Sequence, residues 1–256
     1  MISPLKDPND FKSTHIIKNI IPKRSTVNSF LLYSGNIEFN LAESERFVVA
    51  NTNNYVIYEF WHHAFRDPQK IIHNANFLHE DMVTPVAYLM QENWPSYEDP
   101  YVRTALFFLL SSYSSQNLPS CGDIDFSNFN PINAEHFRRL PDLKNFYINY
   151  DPKSENFLDS IDKIKKADYN LFPVGKFSYN LFEDGKSRGH ETTAINHEQL
   201  RKKVQEDDTK SILVYKYHPA LTDFFKGFDI RHLNAYGRPT DEDSSKEVLI
   251  ANFRIT

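Results

Sequence analysis

The stretch RFVVANTNNYVIYEFWHHAFRDP, residues 46–68, decides the fold. Its first part, Arg46 to Asn51, is β-branched, apolar and short, which reads as a strand ending at an asparagine. In the second part, Val56, Ile57, Phe60, Trp61, Ala64 and Phe65 recur at the spacing of a helix with one buried face. Strands that alternate with helices in this way predict an α/β sheet.

The same alternation extends outward in both directions. Ahead of it, STHIIKNIIPK (13–23) predicts a short helix that Ser13 or Thr14 can cap and Pro22 ends, and TVNSFLL (26–32) a strand. Behind it, 68–145 is mostly helical, with TPVAYLMQENW, the strongly apolar PYVRTALFFLLSSYSS and the shorter AEHFRRLPDLK. Strand patterns return at 145–150, 167–174, 210–217, 228–234 and 246–253, with helical stretches at SENFLDSIDKIKK and NHEQLRKKVQED between them. The predicted architecture is therefore an α/β core formed by residues 1–59 and 145–256, with a helical insertion at 60–144.

The 256 residues are 40% hydrophobic and 14% aromatic, a composition that buries a core and excludes disorder. With a formal charge of −5, nothing global draws the chain to a phosphate backbone, so DNA binding would need a local basic patch. One cysteine, Cys121, excludes an internal disulfide and any multi-cysteine metal site, and it fits a reducing cytoplasm. No apolar run is long enough to span a bilayer, and the start MISPLKDPNDFKS lacks the order of a signal peptide, so the expectation is a cytoplasmic protein without membrane contact. The seven glycines are scattered where an average chain would have about 18. No cluster of them makes a cofactor loop.

Taken in order, several segments resemble the Dam-like adenine-N6 DNA methyltransferases. SPLKDPNDFKSTHIIKNIIPK is similar to the family's opening, and TVNSFLLYSGNIEFNL occupies the place of its cofactor strand and loop. VVANTNNYVIYEFWHHAFRDPQKI resembles its strand ending in Asp-x-Asn with the Phe-Trp helix, and YVRTALFFLLSSYSSQNLPS the central helix and polar turn of its recognition insertion. SILVYKYHPALTDFFKGFDIRHL and KEVLIANF look like the segments that close its sheet. The resemblance implies a Rossmann-like methyltransferase sheet with an inserted target-recognition-like subdomain, S-adenosylmethionine as cofactor, and a phage or bacterial source.

The resemblance fails where the family does its chemistry. The family's Pro-Gly-Gly-Lys falls on Pro8, Asn9, Asp10 and Phe11, with Lys12 one place late. Of the cofactor loop only Phe30 persists, with Gly35 displaced by one, and the ribose-binding acid falls on Asn51. The catalytic Asp-Pro-Pro-Tyr falls on Phe172, Pro173, Val174 and Gly175. Phe172 has no polar side-chain atom to hold an amino group, and Gly175 has no ring to stack on an extruded base. This predicts a degenerate homologue without transfer activity and without S-adenosylmethionine, unless the pocket survives in another form.

No other constellation competes. His62, His63, His73 and His79 have no metal-ligand spacing, and neither His190-Glu191 nor His197-Glu198 forms a zinc-hydrolase motif. Gly-Lys-Ser in EDGKSRG lacks the leading glycine of a phosphate loop, and residues 183–189 read as a loop. The basic residues Arg138, Arg139, Lys186 and Arg188 are the candidates for a nucleic-acid surface. Three roles stay open: a non-catalytic DNA- or protein-binding homologue, an adenine-N6 methyltransferase with divergent loops, and a protein-interaction module without a ligand pocket.

Overall fold

A computed structural model describes residues 1–153, 157–177, 193 and 195–255. Its centre is a seven-stranded sheet in the order β3-β2-β1-β4-β5-β7-β6. The strands are β1 (Thr26–Phe30), β2 (Phe47–Thr52), β3 (Phe146–Tyr150), β4 (Tyr169–Gly175), β5 (Lys210–Lys216), β6 (Asp229–Leu233) and β7 (Glu247–Ala251). Each lies on a segment with a strand pattern. β1 to β5 pair in parallel, whereas β7 runs antiparallel between β5 and β6. Chain order runs outward from β1 on one side and from β4 on the other, so strand order reverses between these neighbours.

The two faces of the sheet carry different cores. On one face Val27, Val48, Ala50, Leu171, Ile212 and Val214 join the helices α2 (Asn36–Glu43), α3 (Tyr55–Arg66), α4 (Pro68–Glu80) and α6 (Pro100–Tyr113) in one cluster. α6 is buried along its whole length from Thr104 to Tyr113, as its apolar sequence requires. The buried Glu59 of α3 pairs with Arg103 of α6 and also accepts from the Tyr55 hydroxyl at 2.8 Å. On the other face Phe30, Phe172, Leu213, Tyr215, Val248 and Ile250 pack against Leu200 and Val204 of the helix His197–Glu206.

Long-range polar anchors place the amino-terminal segment at the carboxyl end of the sheet. Glu247, buried at the start of β7, accepts from the backbone N–H groups of Lys12 and Ser13, each at 2.9 Å, at the entrance to α1 (Thr14–Ile20). Buried Arg46 donates from Nη2 to the carbonyls of Lys18 and Ile21 at the other end of that helix, both at 2.6 Å. Asn252 accepts from Ser211 N–H and donates to the Val204, Asp207 and Thr209 carbonyls, locking the end of β7 to β5. Glu247 and Asn252 are framework residues of KEVLIANF, and the contacts given for them are structural.

Three segments differ from the sequence pattern. Residues 36–43 form α2, which the sequence reading treated as part of a loop; Gly35, in the left-handed region at φ +71°, turns the chain into it. The stretch 154–166 is helical only over Phe157–Ile161 among the described residues, because the chain leaves the helix to bring the Lys165 carbonyl to Asn28 Nδ2 at 3.0 Å. AEHFRRLPDLK contributes the end of a short helix and then a 3-10 segment, His136–Asp142, which carries Pro141 inside it. Among the described residues no helix is long and apolar enough to cross a membrane.

Candidate functional site

Open α/β sheets place ligands outside the carboxyl ends of the strands where strand order reverses. Here that position lies above β1 and β4, and a cleft of about 690 Å³ occupies it. The amino-terminal segment around Asp7 and Asn9, the loop Leu31–Gly35, the first turn of α2, the polar turn 115–118 after α6 and the end of β4 form its walls. Gly175, at φ +85° beside a register shift in β4, is needed here, since a Cβ would stand 2.3 Å from Asn9 Oδ1. Asn9 thus seats the amino-terminal segment directly on the end of β4.

The most unusual groups in the cleft are two carboxylates that the sequence reading missed. Glu38 is almost completely buried and accepts from Ser29 Oγ at 2.8 Å; burial raises its pKa to about 7 against that hydrogen bond. Asp7 accepts from Asn9 N–H at 2.7 Å and from the Ser34 hydroxyl, and burial likewise raises its pKa. One signal in the sequence pointed to Glu38: in NIEFNLAE it shares the buried side of α2 with Ile37, Leu41 and Ala42. A charged residue within an apolar stripe is either paired or functional.

The structure divides the residues expected to form the site. Gly35, Pro173 and Val174 border the cleft. Phe172 does not; it is buried and stacks on Phe30, with ring centroids 4.9 Å apart and planes 11° from parallel. Asn51 is buried as well: its Nδ2 donates to the Val49 carbonyl at 3.1 Å and its Oδ1 accepts from Asn149 Nδ2 at 3.0 Å. The free space beside Phe30 and Asn51 is about 10 Å³, room for one water at most. Lys12, the neighbour of the lost motif lysine, pairs with Asp10.

The two described basic candidates, Arg138 and Arg139, do not border the cleft. Arg138 pairs with Glu135, and Arg139 reaches Glu43 at 3.4 Å, at the carboxyl end of α2, the end away from the first turn that borders the cleft. Lys186 and Arg188 lie outside the described residues, as does the loop 183–189. Among the described residues no group of three or more His, Cys, Asp or Glu side chains is placed to hold a metal ion.

Parallel strands β3-β2-β1-β4-β5, closed by an antiparallel β7 between β5 and β6, with a site at the β1/β4 reversal, define a Rossmann-like α/β fold of the methyltransferase type. No protein-family model matches the sequence, and no curated protein matches it either. Among solved structures, the chain is similar to a TehB-like SAM-dependent methyltransferase from Corynebacterium glutamicum at 8% identity and a TM-score of 0.38, over 94% of this chain and 85% of that one. A likeness this distant carries no argument about site or substrate.

The resemblance puts the ribose contact of S-adenosylmethionine at Asn51, and the space there, bordered by Phe30 and Phe157, is about 10 Å³. Asn51 also has its amide engaged by Val49 and Asn149 and brings no charge to a ribose. Only the part of the site above Gly35 and Val174 remains open.

Proposed function

We propose that this chain is a degenerate homologue of the Dam-like adenine-N6 DNA methyltransferases that neither holds S-adenosylmethionine nor transfers methyl groups, and that it works by binding. The observation that carries this reading is the stack of Phe172 on Phe30 beside a residual space of about 10 Å³. An aromatic side chain stands where the family needs a carboxylate, and the neighbouring cofactor space is filled from within the protein. Transition-state contacts of the lost kind account for orders of magnitude in rate.

A protein-facing role has more support than a DNA-facing one. Phe77, Val83, Tyr88 and Leu89, on α4, α5 (Thr84–Asn93) and their linker, are large apolar side chains left exposed on the helical layer. Arg138 and Arg139 are each held by a nearby glutamate, which reduces the charge they offer to phosphates. Calorimetric titration of folded protein with S-adenosylmethionine and S-adenosylhomocysteine tests the central point. The expected result is no heat at millimolar ligand; micromolar binding would overturn the proposal, and methyl transfer to adenine-containing DNA would then be the activity to measure.

A further inference from the structure

The geometry points to the free edge of β3 as a pairing surface: we propose that it joins the same edge of a second copy of this chain, antiparallel and centred on Ile148. β3 ends the sheet, with only β2 beside it. Val48 N–H donates to the Asn145 carbonyl at 2.8 Å, and Asp151 N–H to the Thr52 carbonyl at 3.2 Å. Backbone groups of a strand turn to one neighbour at every second residue, so Tyr147 and Asn149 also face β2. Phe146, Ile148 and Tyr150 therefore direct their N–H and C=O groups away from the sheet, and the described residues give those groups no partner. Such a row is a template for another strand.

The opposite edge of the sheet is closed by devices that β3 lacks. β6 carries Asp229, Arg231 and His232, and charge on an edge discourages pairing. Thr240 N–H donates to the His232 carbonyl at 3.0 Å, and Ile255 N–H near the carboxyl terminus donates to Asp229, also at 3.0 Å. In β3, by contrast, FYINY holds no charge and no proline, and its register with β2 runs without a bulge. Its surroundings are aromatic and exposed. Tyr147 is 59% exposed, on the face where Phe47 of β2 is also left to solvent. On the other face Tyr55 stands edge-on to Tyr150, and Tyr58 stacks on it with ring centroids 4.8 Å apart.

A second copy suits this edge because the strand is complementary to itself. With Ile148 on the two-fold axis, Phe146 lies opposite Tyr150 and Tyr147 opposite Asn149, and every outward backbone group of both strands is paired. One step further out, Asn145 meets the Asp151 carboxylate and Lys144 faces Pro152, so no like charges stand opposite each other. The edge does not border the cleft, and its pairing does not depend on whether a cofactor binds there.

Sedimentation equilibrium of the whole protein between about 1 and 300 μM is expected to show a monomer passing to a dimer and no further, because a two-fold contact closes on itself. Hydrogen exchange at the two ends of that range should slow over residues 146–150 in the dimer and stay unchanged over 229–233. Tyr147→Lys spares the core, since the ring is exposed, and sets a lysine from each copy diagonally across the axis; it should weaken the dimer about tenfold or more. Leu89→Lys, on the exposed apolar surface of α5, should leave the dimer as it is. A chain that stays monomeric throughout overturns the proposal and leaves the edge to a strand of another protein. Association that survives Tyr147→Lys, that Leu89→Lys removes, or that brings no protection to residues 146–150 overturns it as well, and puts the contact on another face.

Discussion

Replacing Phe172 by aspartate would give the chain the acid that a Dam-like pattern has at that place, and the local packing says what would follow. Phe172 is fully enclosed and its ring lies on Phe30, so a carboxylate there would be buried without a partner and would leave a ring-sized void. Phe172→Asp is expected to lose about 4 kcal/mol or more of stability by chemical denaturation, and to show no methyl transfer. Recovery of transfer by this single change would mean that the cofactor space is open. Glu38 supports a second prediction at this scale. Its pKa is about 7 in the folded protein against 4.5 ordinarily, so the folded state binds more protons between those values. The contribution of Glu38 to stability is then greatest at acid pH, falls as pH rises from about 4.5 through about 7, and is flat beyond, with the loss on the order of 3 kcal/mol. Denaturation of Glu38→Gln at pH 5 and pH 8 should lack most of that fall, leaving the share of Asp7, whose shift has the same direction.

At the scale of the element, Glu247 turns a strand end into an anchor. Its two carboxylate oxygens take the Lys12 and Ser13 amides, and it is buried, so truncation strands two donors and frees the segment that Asn9 seats on Gly175. Glu247→Ala is expected to cost about 3 kcal/mol and to raise hydrogen exchange at residues 5–13 well above the change in the sheet, measured by mass spectrometry. Exchange that rises uniformly would show that the segment has no stability of its own to lose. This anchor also explains what the sequence made legible. Strands such as SILVYKY and KEVLIANF are readable because burial on both faces demands continuous β-branched and apolar runs. α2 was not readable because its start depends on one left-handed glycine, and the Asn28 contact that stops the 157–161 helix joins residues 137 apart in sequence. That residues 172–175 offer no acid and no ring at the fourth place was legible from the residue types alone. The remaining acids of the cleft were not, since Asp7 and Glu38 meet only when the amino-terminal segment is folded over β1 and β4.

For the whole molecule, the question is whether the helical layer between β2 and β3 is a separate unit. The sequence pattern places an insertion at 60–144, and residue 60 lies within α3. Packing argues for one cooperative structure. Phe60 touches Trp61, Phe107 and Phe137 within the helical layer, while Trp61 meets Phe39 of α2 edge-on and donates to the Tyr33 carbonyl at the cleft. Those side chains share a single cluster with Val48, Ala50 and Leu171 of the sheet. Peeling the layer away would uncover Phe39 of α2 and other members of this cluster, which the hydrophobic effect opposes. Both tryptophans, Trp61 and Trp94, belong to this layer, so their fluorescence reports on it, while far-UV circular dichroism reports on the whole. The two signals are expected to give coincident denaturation curves despite a length at which intermediates become common. Phe60→Ala should shift both midpoints together, with a loss of about 3 to 5 kcal/mol. If the fluorescence midpoint alone moved, the layer would be an autonomous domain and the cleft a boundary between two bodies. If both move together, the cleft walls contributed by the 115–118 turn and by β4 are held by the same core, and a ligand bound there stabilises the entire chain.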